Sequence, residues 1–169
     1  MNIYLIRHAI AVEAGTPEYE QDSERPLTEK GRKKMRQIAR GLRTLGVELD
    51  LILSSPYVRA RETAEILAEV FKMKKKIAFS ESLTPAADPA LLIPEISEKY
   101  SVESIALIGH EPHLSTLIGA LTTENTTLGI TLKKGGVCYL EADDLHHTDH
   151  RATLEWLLTP GILVEIGEK

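Results

Sequence analysis

Short apolar runs of strand length recur along this chain, at Ile3 to Ile6, Leu49 to Leu53 and Ile105 to Ile108. Each leads through a polar turn or longer loop into a segment with helical periodicity. That alternation predicts an α/β fold, three-layered α/β/α with a mainly parallel central sheet. The helix starts are well signalled. Thr28 reads as an N-cap with Glu29 in the first turn, followed by Met35, Ile38, Ala39 and Leu42 on one face and a stop at Gly46. Ser55 reads as the next cap with Pro56 at the first helical position, followed by Ala60, Ala64, Leu67 and Phe71. Asp88-Pro89 repeats the pattern ahead of Leu91 to Tyr100, and Glu111-Pro112 opens a helix through Leu121. Gly136 to Glu141 and Thr153 to Leu158 alternate as strands, with Asp143 to Arg151 as their polar connection.

With 169 residues, 43% of them hydrophobic, residues 1–169 are expected to form a single domain whose core needs no disulfide or metal staple. The lone cysteine, Cys138, has no internal partner and reads as a small buried hydrophobe, so the expected compartment is the cytoplasm. The first six residues are an apolar strand ended by Arg7 and His8 rather than a signal peptide, and are expected to be retained. No apolar stretch approaches the ~20 residues a membrane helix needs. A formal net charge of -5 gives no general attraction to polyanions, so neither nucleic acid nor membrane is an expected partner. One segment resists the alternation. Ala9 to Arg25 is long, acidic and aperiodic, and its place directly after His8 suits a loop lining a pocket.

In open α/β sheets ligands bind beyond the carboxyl ends of the strands. Three such places carry chemistry: Arg7-His8 after the first run, Ser54-Ser55 with Arg59 after the second, and Gly109-His110 after the third. If those strands are parallel neighbours, two imidazoles and two guanidiniums meet at one sheet edge, a composition suited to a phosphoryl group. Phosphoryl transfer depends mainly on positioning and charge stabilisation, which the planar forks of Arg7 and Arg59 supply. A neutral His8 can attack phosphorus, provided a backbone carbonyl holds its other ring nitrogen. A second, protonated imidazole at His110 adds positive charge, its proton supported by bound phosphate. The helix near Pro112 is expected to aim backbone N–H groups at the anion. Arg61 competes with Arg59 for the pocket role, but lies farther round the helix and is expected to face solvent.

Leu5-Ile6-Arg7-His8-Ala9, Arg25-Pro26-Leu27-Thr28-x-x-Gly31, Ser54-Ser55-Pro56-x-x-Arg59-Ala60-x-x-Thr63-Ala64 and Gly109-His110-Glu111-Pro112 together resemble the histidine phosphatase superfamily. Their order and spacing look most like the short SixA-type phosphohistidine phosphatases, and Trp156-x-x-x-Pro160 resembles that branch's ending. The resemblance implies a phosphoglycerate mutase-like fold, His8 as nucleophile, and Arg7, Arg59 and His110 as the phosphate pocket, with Glu111 beside them. It implies a phosphorylated histidine on a signalling protein as substrate, such as a histidine-containing phosphotransfer domain, and no metal or organic cofactor. There are two departures. Ala9 stands where the family commonly has Gly, adding a methyl group where the backbone should approach phosphate. Mutase-like relatives also carry a carboxylate general acid where this chain has Pro85, leaving Glu81 and Asp88 as flanking candidates. Lack of an acid suits an imidazole leaving group better than an alkoxide. The competing readings are a phosphatase or mutase for small phosphate esters and a non-catalytic phosphoprotein-binding module.

Three further features belong to no site in this reading. His146-His147-x-x-His150 beside Asp143, Asp144 and Asp149 has a zinc-binding composition but the context of a hydrophilic hairpin loop. Lys72 to Lys76 holds four lysines, favourable at a helix end and able to steer an acidic partner. His113, one turn beyond His110, is expected to cap or decorate the helix start.

Overall fold

The computed structural model of the chain describes residues 1–123, 128–143, 145 and 152–168. A six-stranded sheet organises them. Its strands are β1 (Asn2–Arg7), β2 (Leu51–Ser54), β3 (Ile77–Phe79), β4 (Ser104–Gly109), β5 (Val137–Ala142) and β6 (Ala152–Leu158), in the spatial order β3-β2-β4-β1-β5-β6. The first four are mutually parallel, while β5 runs antiparallel to β1 and β6 antiparallel to β5. The helices are α1 (Glu29–Thr44), α2 (Val58–Phe71), α3 (Leu92–Lys99), α4 (His113–Thr123) and α5 (Pro160–Gly167).

The two-residue period of a strand explains the layering. Tyr4 and Ile6 of β1, with Ala106 and Ile108 of β4, join Met35, Ile38 and Leu42 of α1, Ala64 and Leu67 of α2 and Leu163 of α5 in one hydrophobic cluster. The alternate residues, Ile3, Leu5, Ile105 and Leu107, join Leu92 and Ile96 of α3 and Leu114, Leu117 and Ile118 of α4 in the other. The sheet is therefore buried on both faces, and the fold is the expected α/β/α sandwich. Cys138 lies in the second cluster, and burial pushes its thiol up to about 12, so it behaves as the expected small hydrophobe.

Thr28 caps α1 as expected, its side chain accepting from the Gly31 N–H at 3.0 Å. A side chain at Gly31 would run into the Ile10 carbonyl, so this turn of α1 is pressed against the loop that leaves the sheet after His8. Four elements differ from expectation. The helix after Ser55-Pro56 begins at Val58 with Tyr57 at its cap, and Ser55 Oγ, 2.9 Å from His110 Nε2, accepts from the Tyr57 N–H at 3.4 Å in the turn ahead of it. Asp88 caps a short 3-10 turn, Pro89–Leu91, with α3 following it. Strand β3 was not anticipated, since three residues at a sheet edge leave too little alternation to read. Nor was α5, which lies against α1 where Gly41 and Gly167 leave no room for side chains between the two backbones.

Candidate active site

Strands β2, β4 and β1 end side by side, with Ser54 opposite Ile108 and Arg7 opposite Gly109. The chain continues past each end in register: the His8 N–H donates to the Gly109 carbonyl at 3.0 Å and the Ser55 N–H to the Ile108 carbonyl at 2.9 Å. His8, His110 and the start of α2 are thereby brought to one sheet edge, as the parallel reading required. They surround a cavity of about 380 Å³ lined by Arg7, His8, Arg59, His110 and Glu111. Glu13, Ala14, Asp22 and Arg25 of the aperiodic loop, with Pro85 and Lys134, complete its wall. That long acidic loop does line a pocket.

His8 is buried, with Nδ1 2.8 Å from the Ala9 carbonyl oxygen. A carbonyl only accepts, so Nδ1 carries the proton and Nε2 the lone pair, the tautomer a nucleophile needs. Nε2 accepts from the Arg59 Nε–H at 3.3 Å. Burial pushes the imidazole down to about 3; the Ala9 carbonyl opposes this, and the charges of Arg59, Arg7 and Lys134 reinforce it. The ring is therefore neutral near pH 7. Ala9 does not face the cavity. It is buried in the first hydrophobic cluster, so its methyl group costs the site no space. Its N–H donates to Thr63 Oγ1 at 3.1 Å, and that hydroxyl donates to the Arg59 carbonyl at 2.7 Å, joining the backbone beside His8 to α2.

His110 places Nε2 2.9 Å from Ser55 Oγ, with its ring centroid 5.1 Å from that of His8 and 5.2 Å from Tyr57. Burial first, then the nearness of His8 and of the Arg59 charge, push it down to about 2. The pocket by itself thus keeps His110 neutral; the expected protonated ring is tied to bound phosphate, whose negative charge would oppose this downward shift. Its Nδ1 is buried without a hydrogen-bond partner among the described residues, as is Arg7 Nε. Arg7 is held by the segment that leads into the neighbouring strand β5, Nη1 donating to the Leu132 carbonyl at 2.9 Å. The first turn of α4 does not offer the cavity all the free N–H groups expected of it. Those of Leu114 and Ser115 are taken by the His110 carbonyl and by Glu111 Oε1.

The arginine alternatives separate cleanly. Arg59 is 3% exposed and lines the cavity, whereas Arg61 is exposed beside Glu65. Neither Glu81 nor Asp88 lines the cavity. Both are exposed, Asp88 is committed to the Ala90 N–H at 2.9 Å, and Pro85 occupies the wall between them. His113 stands at the start of α4 as expected, but it is buried against the Ser82 backbone and does not line the cavity. The lysines from Lys72 to Lys76 join the end of α2 to the start of β3, at the opposite end of the parallel strands from the cavity. His146, His147 and His150 lie outside the described residues. Reasoning from strand ends missed Asp22, Arg25 and Lys134 as cavity residues; the acidity of the loop and the Arg25-Pro26-Leu27-Thr28 motif were the available signals.

Comparison with known proteins agrees with this geometry. The model of the histidine phosphatase superfamily (branch 1) matches residues 3–84. A phosphohistidine phosphatase SixA homolog of Haemophilus influenzae is 30% identical over 130 residues, 72% of this chain and 77% of that protein. Phosphohistidine phosphatase SixA of Escherichia coli is 29% identical over 129 residues, 75% of this chain and 77% of that protein. A solved structure of the protein histidine phosphatase SixA complexed with tungstate superimposes with a TM-score of 0.83 at 25% identity, covering 96% of this chain and 99% of that one. With a neutral imidazole beside a buried guanidinium at the carboxyl edge of such a sheet, the chain belongs to the histidine phosphatase superfamily and is a SixA-like phosphatase.

Proposed function

We propose that the protein is a single-domain cytoplasmic phosphohistidine phosphatase, acting on a phosphorylated partner protein through a phosphoryl group held covalently on His8. The observation that carries this reading is the wiring of His8: Nδ1 on the Ala9 carbonyl, Nε2 free of a proton and directed at Arg59 inside the cavity. In the first step the Nε2 lone pair attacks phosphorus and the bond to the substrate imidazole nitrogen breaks, the leaving ring keeping the proton on its other nitrogen. Arg7, Arg59 and His110 hold the phosphoryl oxygens as charge spreads over them. Water then attacks phospho-His8, releasing inorganic phosphate and returning the neutral ring.

The leaving group supports a histidine substrate. An alkoxide needs a proton donor, and the wall where an acid would stand holds Pro85. The names of the Escherichia coli and Haemophilus influenzae relatives agree with this choice, and tungstate, a tetrahedral oxyanion, in the solved relative agrees with a phosphoryl pocket. A histidine-containing phosphotransfer domain is the kind of partner that fits. One observation favours a second reading, hydrolysis of small phosphate esters: a side-chain carboxyl group, that of Glu111, lies on the cavity wall.

A rate panel with phosphohistidine protein, phosphoserine peptide and sugar phosphates, run with a chelator present, tests the proposal. The phosphohistidine protein is expected to react fastest, with a phosphorylated His8 trapped by alkaline quenching. Faster ester hydrolysis that Glu111→Gln removes would establish the second reading. Phosphate binding without any turnover would leave a binding module.

A further inference from the structure

We propose that Asp22 positions Arg59 for phosphoryl transfer, by holding the outer edge of its guanidinium so that the Nε edge faces the nucleophilic nitrogen of His8. The inference rests on the phosphatase reading above. A guanidinium is a rigid planar fork with two usable edges, one made by Nη1 and Nη2 and the other including Nε. Asp22 takes the first edge with two different acceptors: its backbone carbonyl receives Nη1 at 2.6 Å and its carboxylate Oδ2 receives Nη2 at 2.8 Å. With that edge fixed, the Nε–H lies 3.3 Å from His8 Nε2. A phosphoryl group formed on Nε2 meets the Nε edge, so Asp22 and phosphate need not compete for the same donors.

The same carboxylate orders a second guanidinium. Asp22 Oδ1 accepts from both Nε and Nη2 of Arg25, whose Nη1 donates to the Val12 carbonyl, and Arg25 also lines the cavity. One side chain on a short 3-10 turn, Asp22–Glu24, thus ties the aperiodic loop to the buried base of the site. Asp22 is itself half exposed, with its side chain 51% accessible, so replacing it leaves no cavity in the core. A residue that acts through another's orientation typically changes activity by about 10- to 100-fold when removed.

The test compares wild type, Asp22→Ala, Asp22→Asn, Arg59→Ala and the Asp22→Ala/Arg59→Ala double variant. Asp22→Ala is expected to lower kcat by about 10- to 100-fold, with KM changed far less, and Asp22→Asn to recover part of the loss. In the Arg59→Ala background the Asp22 substitution should cost almost nothing more, because the group it positions is gone. In ¹⁵N NMR, the buried Arg59 Nε–H is expected to be protected from exchange in wild type and to lose protection in Asp22→Ala. An equal fold loss in both backgrounds would overturn the proposal. So would an unchanged kcat combined with tighter binding of inorganic phosphate, since Asp22 would then be only a competing anion. The NMR comparison needs no substrate. If phosphohistidine proves the wrong substrate, an Arg59 signal unaffected by Asp22→Ala still refutes the positioning role, and a lost one still supports it.

Discussion

His8 and His110 occupy matching places, each one residue past the end of a parallel strand and both buried, yet they are wired differently. His8 leans on a backbone carbonyl, which can only accept, so its tautomer is fixed and its lone pair always points to Arg59. His110 leans on Ser55 Oγ, a hydroxyl that both donates and accepts, so its ring can take up or release a proton without losing its partner. The same burial thus fits the two roles proposed above, and the hydrogen-bond partner distinguishes them: a fixed lone pair at His8 for the proposed nucleophile, an adaptable ring at His110 for the proposed donor.

Replacing the two rings should break this comparison most sharply. His8→Ala is expected to reduce phosphate release on the order of 10⁴-fold or more and to abolish the alkali-stable phosphoenzyme, because in the proposed mechanism His8 alone carries the phosphoryl group. His110→Ala is expected to cost less, about 10²- to 10³-fold in kcat, while still allowing phosphorylated His8 to be trapped by a quench. Equal losses, or a phosphoenzyme absent from both, would show that the two imidazoles act as one unit.

Acid separates the rings by a different property. Both have pKa values held below the ordinary 6.5, His8 at about 3 and His110 at about 2, so the folded protein refuses protons that the unfolded chain accepts. Their contribution to stability is complete above pH 6.5 and is lost as pH falls toward 3, by up to about 1.4 kcal/mol per pH unit for each ring. Urea midpoints measured from pH 7 to pH 4 should fall accordingly, and less steeply in His8→Asn and in His110→Asn. Inorganic phosphate is expected to raise the pKa of His110 alone, read from its ring proton shifts. Movement of His8 instead would invert the assignment.

The smallest expected effect concerns the brace beside His8. Thr63→Val leaves the buried Ala9 N–H without its acceptor and should destabilise the protein by about 1–3 kcal/mol, measured by urea unfolding. Activity should fall only a few-fold, since Ala9 O still holds Nδ1 of His8. A loss as large as that of His110→Ala would mean that Thr63 sets the geometry of the nucleophile itself.

Much of the fold was legible because its cues are local. Unbroken apolar runs of strand length at Ile3 to Ile6 and Ile105 to Ile108 mark strands buried on both faces, and Thr28 before an amphipathic run marks a capped helix that forms as read. The pairing of Arg59 with the cavity and Arg61 with solvent followed from helical spacing alone. The start of α2 differs from the reading by a short turn: Ser55 Oγ accepts from the Tyr57 N–H as a cap would, but the helix itself begins only at Val58, and the contact of Ser55 with His110, 55 residues away, has no local signal. Short β3 and terminal α5 carried too few residues for a periodic signal. Glu81 and Asp88 looked like candidate acids from their nearness in sequence to Pro85, but the turn between them points its proline at the cavity and leaves both carboxylates exposed.

The sequence by itself determined which chemical groups stand at the strand ends, because a residue's place just past an apolar run is a matter of one-dimensional spacing. It could not determine how those groups act on one another. The proton on His8 Nδ1, the neutrality of His110 and the edge of Arg59 that meets the nucleophile were decided by tertiary structure. Each depends on burial and on contacts such as Arg59 with Asp22 and Arg7 with Leu132, which join segments far apart in the chain. Desolvation and hydrogen-bond direction arise only once those segments are packed together, and they turn a set of phosphate-compatible residues into an ordered site.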